Sequence, residues 1–422
     1  MTVTPAISEA AQPAPDRPAH RDPDVLRWLG AYTSSAIGDN VYYVALSWAA
    51  VQAGTPSQAG LVMAASAVPR ALLMLGGGVI ADRFGPRRVL IAGGGVRCAA
   101  VVAVAALLLV SSPGLWLLGL LALVFGVVDA VVMPALGALP ARITVRGQLA
   151  RVQGMRGMAS RLAAVVGAPL GGLGVALGGA AAAFGAAALL FAVALPLLTA
   201  VRMRSRPQDG GAGQEPPSRP TAARDLRDGV EYIRRDPVLA RLMVVIALSD
   251  LGFVGPLNVG LTLLADERGW GATGMGWVLA GFGTGAGATS LLLAVRGRVP
   301  RAGLVLSVTI AVGAVAVGAL AYVPTLAAAV GTALAVGLLT GLSGALCGAL
   351  IQTESDPAFT GRVTSVANLF SLGLAPLTFP LTGAAIALWG TGPVFAASAG
   401  VCALGGLTGL ACGALRRAEL PR

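Results

Sequence analysis

The sequence predicts an all-α membrane protein of about twelve transmembrane helices, arranged as two six-helix halves. Of its 422 residues, 56% are hydrophobic and only 12% are charged, and the mean hydropathy is +0.79. Soluble domains carry about twice that share of charged residues. Apolar stretches of about 20 residues, enough to cross the hydrocarbon core of a bilayer, recur along nearly the whole chain. One long polar segment near the middle separates them into two groups of six.

The apolar stretches are bounded by short polar or Gly/Pro-rich segments. The weakest boundary is the pair Gly178-Gly179, which is the only turn signal in a long Gly/Ala-rich run and separates the fifth span from the sixth. The predicted spans cover residues 28–53, 58–81, 89–111, 115–138, 155–177, 180–201, 240–264, 273–295, 302–322, 326–350, 363–388 and 393–415.

The arginines orient these spans. All 30 basic residues are arginines, and 25 of them fall on one side of the membrane if the N-terminus is cytoplasmic. Only Arg268 falls in a loop on the other side. Because cytoplasmic loops are enriched in basic residues, we expect a multi-pass protein of the cell membrane with both termini in the cytoplasm. This bias also accounts for the net charge of +11 without a nucleic acid partner.

Several chemistries are excluded by residues that the chain lacks. Without lysine there is no P-loop and no Schiff base. The single histidine, His20, lies in a polar segment, and the four cysteines lie in apolar stretches at no metal-ligand spacing. We therefore expect no enzyme activity, no bound cofactor, no metal site and no disulfide. The cysteines are Cys98, Cys347, Cys402 and Cys412.

The chain divides into five regions by composition. Residues 1–23 lack the apolar core of a signal peptide and are predicted to form a disordered cytoplasmic tail, and residues 417–422 form a second tail. Residues 24–201 and 240–416 form the two six-helix halves. Residues 202–239 form a cytoplasmic linker whose second part has the helical spacing and one-sided charge of a short interfacial helix.

The loop after the second span reads Gly-Val-Ile-Ala-Asp-Arg-Phe-Gly-Pro-Arg-Arg. It resembles the signature loop of the major facilitator superfamily, and only Pro86 departs from the usual basic position. The resemblance implies that the glycine before the aspartate lets helices two and eleven approach, that the aspartate meets donors of a neighbouring helix, and that the second glycine makes the tight turn. The arginines would hold the cytoplasmic side. The signature positions are Gly78, Asp82, Arg83, Gly85, Arg87 and Arg88.

Further segments resemble the drug:proton antiporter subgroup, which includes macrolide- and tetracycline-type efflux pumps and a siderophore exporter. They include 37–39, 68–70, 134–140 and 352–363. The chain departs from the subgroup at Leu136, where an arginine is common, and in span five, where one residue separates the usual Gly-Pro pair. The gating-helix positions that the resemblance assigns in span five are Gly167, Pro169, Gly171 and Gly172.

Ionisable side chains inside the spans are functional candidates because each costs about 2.5–3.5 kcal/mol on insertion scales. Asp39 is predicted to be a lone carboxylate three turns into span one, with either a proton-coupling or substrate-binding role or a structural one. Asp129 is also a candidate for proton coupling or substrate binding, but Asp129 and Arg97 lie on adjacent spans and favour a structural ion pair. Asp250 precedes a predicted helix break in span seven and could contact substrate or protons.

Two more arginines, Arg70 and Arg161, lie within or at the edge of spans. We expect them to bind interhelical carbonyl groups or to extend their guanidinium groups toward the membrane surface, rather than to bind an anion.

Together these features favour secondary active transport by alternating access, with the proton gradient as the energy source. The resemblance implies export of an amphiphilic small molecule, such as a drug, an antibiotic or a secondary metabolite. The expected partners are the substrate, protons and the lipid bilayer, and a monomer is the usual state of this fold. The alternatives are a uniporter or symporter for a metabolite, siderophore or lysolipid, and a membrane-embedded enzyme, for which the spans offer no nucleophile and base.

Overall fold

The computed structural model describes residues 18–111, 114–203, 222–296, 299–356 and 359–420. Every regular element in these ranges is a helix. The disorder predicted for most of the N-terminal tail and for the first part of the linker concerns residues that lie outside this part of the chain.

Twelve helices of the described residues correspond to the twelve predicted spans, so the all-α twelve-helix fold class is confirmed. Nine continuous helical segments there are long and apolar enough to cross a membrane, and one of these, 51 residues long, contains two spans. The first two helices complete the twelve. The helices are α1 (Pro23–Ala53), α2 (Pro56–Phe84), α3 (Pro86–Val110), α4 (Leu115–Ala138), α5 (149–177), α6 (180–199), α7 (Pro237–Glu267), α8 (Gly271–Arg296), α9 (Ala302–Leu320), α10 (Leu326–Glu354), α11 (Thr360–Trp389) and α12 (Thr391–Ala411).

Two local features shape long helices. The segment Leu149–Thr199 is divided by non-helical backbone at Gly178 and Gly179, and Gly179 has a φ of +68°, which glycine adopts without steric cost. The turn predicted there is confirmed. In α7 the predicted break is instead a π-helical turn over Pro256–Gly260, and the helix continues beyond it.

Helix starts are encoded locally. Proline occupies the first position of α1, α2, α3 and α7, where its missing N–H costs nothing. The carboxylate of Asp22 accepts from Asp24 N at 2.9 Å and caps α1. Within the predicted tail, Ala19–Arg21 form a 3-10 turn, and Ala19 is buried in the same cluster as Trp28.

The bundle has two ends, which we call the tail end and the loop end. At the tail end α1 begins and α12 finishes. At the loop end α1 finishes and α2 and α8 begin. The two halves meet where α2 packs on α11 and α5 packs on α8.

Two glycines allow these helices to cross closely near the loop end. A Cβ on Gly60 of α2 would lie 2.6 Å from the carbonyl oxygen of Phe379, and one on Gly276 of α8 would lie 2.6 Å from that of Ala168. Such close backbone approach is the usual way helices associate in lipid.

The buried side chains at the tail end form one cluster in each half. Trp28 and Leu139 belong to the cluster of the first half, and Leu242 and Leu350 belong to that of the second. Toward the loop end the clusters combine both halves, for example Val44 with Val278. Among the described residues, the halves are therefore joined at the loop end and have separate cores at the tail end.

The second part of the linker forms a helix, Ala222–Arg235, which packs on the C-terminal half. The ring of Tyr232 stacks on Phe359 at 4.5 Å between centroids, and its hydroxyl accepts from Asp356 N at 3.1 Å. Ile233 is buried in the cluster of that half. This linker helix is thereby fixed to the start of α11.

Candidate functional site

A cavity of about 430 Å³ lies between the two halves near the middle of the bundle. Helices α1, α2, α5, α7, α8 and α11 contribute to its wall, which is largely apolar. Hydroxyl and amide groups are spread over both halves, and Arg70 is the charged residue among the described lining residues. The polar lining residues are Asn40, Tyr43, Ser47, Arg70, Asn258, Thr262 and Ser371.

Asn40 and Asn258 face this cavity from opposite halves in the same way. Each donates its side-chain amide to the carbonyl four residues earlier at 2.8 Å, Asn40 to Ala36 and Asn258 to Val254. The amide oxygen and the second N–H remain available for a ligand. Sequence reasoning missed both residues, because a neutral amide raises no charge signal, although each lies on a helix that carries a candidate aspartate.

Four ionisable side chains in the middle of the first half form a charge network. The Arg97 guanidinium donates to the Asp39 carboxylate at 3.3 Å and forms a short ion pair with Asp129. Arg70 lies 4.0 Å from the second oxygen of Asp129. Arg97 is buried, whereas the Asp39 side chain is 44% exposed. The network thus contains two arginines and two aspartates and is neutral when both carboxylates are ionised.

An aromatic stack supports the network. The Arg97 guanidinium lies 5.7 Å from the centroid of the Phe125 ring, and Phe125 stacks on Tyr42 at 3.7 Å between centroids. A cation held over an aromatic face gains electrostatic stabilisation. Packing and charge therefore both fix the guanidinium between α1 and α4.

The network reaches from the central cavity to a smaller one. Arg70 lines the central cavity, and Asp39 and Arg97 line a cavity of about 170 Å³ that extends toward the tail end of the first half. Arg156 lines the same small cavity and lies over the Tyr32 ring at 5.3 Å.

These positions change two sequence predictions. Asp39 is not a lone carboxylate, because Arg97 of α3 donates to it. The two residues are 58 positions apart in the sequence, and nothing in the sequence indicated the contact. Arg70 approaches Asp129 and the cavity, where interhelical carbonyls had been expected. The predicted ion pair of Arg97 and Asp129 is present. Arg161 is exposed on α5.

Asp250 lies apart from this network, in the C-terminal half. Its carboxylate accepts a short hydrogen bond from the Ser371 hydroxyl of α11. It lines two cavities of about 310 and 230 Å³ within that half.

The signature loop is a tight connection between α2 and α3. Gly85 is the only residue between the two helices and has a φ of +83°, so the tight turn expected from the resemblance is present. Arg87 donates to the carbonyl of Thr199 at the end of α6, while Arg83 and Arg88 are exposed. Positions 74–79 and 82, which include Gly78 and Asp82, lie in α2 but are outside the residues whose side chains the structure describes.

The glycines of α5 are helix contact positions. A Cβ on Gly167 would lie 2.6 Å from Asn40 Cβ, and one on Gly171 would lie 2.9 Å from Val44 Cβ, both on α1. Gly172 instead faces the start of α8, and the Thr273 hydroxyl donates to its carbonyl at 3.2 Å. Pro169 lies within the helix between these contacts.

Two six-helix halves around a cavity at mid-bundle, with Arg70 at its wall, are the architecture of a membrane transporter. The sequence profile of the Major Facilitator Superfamily matches residues 28–375. The chain belongs to that superfamily. No curated protein sequence matches it significantly.

Solved structures show the same fold at low sequence identity. The chain is similar to the nucleoside transporter NupG, with a TM-score of 0.70 at 12% identity over 92% of this chain and 99% of that one. It is similar to a bacterial homologue of the human lysosomal transporter Spinster, in an inward-facing and unoccupied conformation, with a TM-score of 0.63 at 15% identity over 95% and 97%. It is also similar to the human organic anion transporter MFSD10, with a TM-score of 0.62 at 16% identity over 93% and 100%.

Proposed function

We propose that this transporter exports an amphiphilic small molecule in exchange for protons, by alternating access of the cavity between its halves. The observation that carries the proposal is the charge network, which reaches the wall of a largely apolar cavity at mid-bundle through Arg70. The cavity wall suits an amphiphile, because apolar side chains would cover its body and the amides of Asn40 and Asn258 would bind its polar groups. The resemblance to efflux pumps supports the outward direction.

Asp39 is the group of the network best suited to carry the proton. If it is protonated, Arg97 keeps its short pair with Asp129, so no buried cation loses all its partners. If Asp129 were protonated instead, Arg97 and Arg70 would both lose a partner. Asp39 is also the more exposed carboxylate and lines the small cavity near the tail end, which offers protons a route.

The tail end is proposed to be cytoplasmic, in the cell membrane, from the arginine bias. Because the halves are joined at the loop end, the structure would then represent the inward-facing state of a monomer. One proton entering down 100 mV releases about 2.3 kcal/mol. A tenfold gradient of a neutral substrate costs about 1.4 kcal/mol, so one proton per cycle suffices for its concentrative export. If the substrate is a monovalent cation, the exchange is electroneutral and the pH gradient supplies the free energy.

The test is transport by Asp39→Asn in energised vesicles, with and without a protonophore. We expect the variant to exchange substrate down its gradient but to lose protonophore-sensitive accumulation, because asparagine keeps the hydrogen bond to Arg97 but cannot release a proton. Asp39→Glu should retain part of the activity with a shifted pH optimum.

Full protonophore-sensitive export by Asp39→Asn would remove Asp39 from the coupling role. If transport by the wild-type protein is insensitive to the protonophore, the result would instead favour a uniporter for a metabolite, siderophore or lysolipid.

A further inference from the structure

The carboxylate of Asp250 differs from those of the charge network because it lacks a cationic partner. Its carboxylate accepts a hydrogen bond from Ser371, and within the described chain no arginine lies within 4.0 Å of it. An ionised carboxylate inside a membrane helix is costly unless a cation approaches it.

Space for such a cation is present on both sides of Asp250. The cavities of about 310 and 230 Å³ share Ser249, Asp250 and Ser343 in their walls. The hydroxyl of Ser249 is buried and has no hydrogen-bond partner among the described residues. Ser371 lines both the larger of these cavities and the central cavity, so the site adjoins the proposed substrate path.

The size and lining of this space favour an organic cation over a metal ion. Each cavity is much larger than a coordinated ion, and no group of three metal-ligating side chains occurs in the described chain. The ring of Phe253 lines the smaller cavity and lies 5.9 Å from Phe282 of the central cavity. An aromatic face beside a carboxylate is a common environment for an ammonium or similar cation.

The charge balance of the two halves leads to the same conclusion. Arg70 and Arg97 balance Asp39 and Asp129 in the first half, whereas Asp250 is unbalanced in the second. We propose that Asp250, with Ser371 and Phe253, forms a subsite for the cationic group of a lipophilic organic cation, which would be the substrate class of the transporter. This inference rests on the proposed transport function but concerns binding alone.

The direct test compares two ions of the same shape and opposite charge on the purified full chain in nanodiscs, with protein-free nanodiscs as the blank. Tetraphenylphosphonium should bind at least about tenfold more tightly than tetraphenylborate. Asp250→Asn should weaken phosphonium binding by about tenfold or more and should not weaken borate binding, because the substitution removes a charge that repels the anion. The matched control Glu354→Gln removes a charge from the same half outside the cavity walls and should bind as wild type does.

The native cysteines provide a second test that needs no substitution. Cys347 lines the larger cavity and Cys402 the smaller one, whereas Cys98 lies on α3 and donates to Ala188 O in the other half. Bound tetraphenylphosphonium should slow alkylation of Cys347 and Cys402 by a membrane-permeant maleimide, read by peptide mass spectrometry, and should leave Cys98 unchanged.

Equal binding of the two ions, wild-type phosphonium affinity in Asp250→Asn, or protection of Cys98 instead would overturn the proposal. The outcome is separable from that of the Asp39 test, because binding measured without a gradient does not depend on proton coupling. If cation binding depends on Asp250 but transport is not sensitive to the protonophore, the cation subsite is supported and the proposed proton exchange is refuted.

Discussion

At the residue scale, Arg97 determines the electrostatics of the first half. Its guanidinium connects Asp39 of α1 with Asp129 of α4 and lies over the Phe125 ring. Buried charges of this kind are stabilising only as a complete set, because desolvation nearly cancels the attraction within each pair. Removal of one member therefore affects the fold more than removal of all of them.

We predict that Arg97→Met lowers the free energy of unfolding by about 3–5 kcal/mol, since two partly buried carboxylates inside the bundle lose their main partner. Adding Asp39→Asn and Asp129→Asn to the same variant should recover most of this loss. The measurement is denaturant-induced unfolding in detergent micelles. Arg161→Met, on an exposed arginine of α5, is the control and should change stability by less than about 0.5 kcal/mol. A triple variant no more stable than Arg97→Met would contradict this account of the network.

At the element scale, the crossing of α5 and α8 near the loop end depends on the absence of side chains. Gly276 meets the backbone of α5 at Ala168, and Gly172 meets the start of α8. Larger residues at these positions would separate the helices, which the alternating-access cycle itself must do when the loop end opens.

We therefore expect Gly276→Val to favour the state that is open at the loop end. Ser47 is buried and lines the central cavity, so Ser47→Cys reports the opening through its reaction with a membrane-impermeant thiol reagent added to intact cells. In a background without the native cysteines, the labelling rate should rise by about tenfold, a shift of about 1.4 kcal/mol.

Gly154→Val is the matched control for this experiment, because a Cβ on Gly154 meets nothing within 4 Å. Equal labelling of Ser47→Cys in the two valine variants would show that the glycine crossing does not hold the loop end closed.

At the scale of the whole molecule, both the number of helices and their division into halves could be predicted from hydropathy, because the chain must satisfy its backbone hydrogen bonds inside lipid. The turn at Gly178-Gly179 could also be predicted, since glycine marks it. The contact of Arg97 with Asp39 could not, because it depends on how α1 and α3 are rotated about their axes. Asn40 and Asn258 were missed for another reason: an amide in a span costs far less than a charge and does not stand out in the sequence.

Topology gives a prediction for the molecule as a whole. In a cysteine-free background, Arg235→Cys on the linker helix should react only with reagents that reach the cytoplasm, and Tyr322→Cys between α9 and α10 should react from outside. Both native side chains are exposed, so access depends on the membrane side alone. If Arg235→Cys is labelled from outside intact cells, the orientation inferred from the arginines is inverted. The proposed exchange would then run in the opposite direction.

The close helix crossings at Gly60 and Gly276 also determine which external conditions shift the equilibrium between the state open at the tail end and the state open at the loop end. Among the described residues, the loop end is closed mainly by apolar side chains and by backbone packed on backbone. A charged side chain contributes there where Gln52 donates to Asp266 of the other half at 2.7 Å. Dispersion forces act only at contact and are not screened by dissolved ions, whereas salt weakens interactions between exposed charges. Ionic strength should consequently have little influence on the conformational equilibrium. Bilayer thickness should have a large influence on this equilibrium, because hydrophobic mismatch changes helix tilt. Tilting of the two halves relative to each other is the motion that separates these helices.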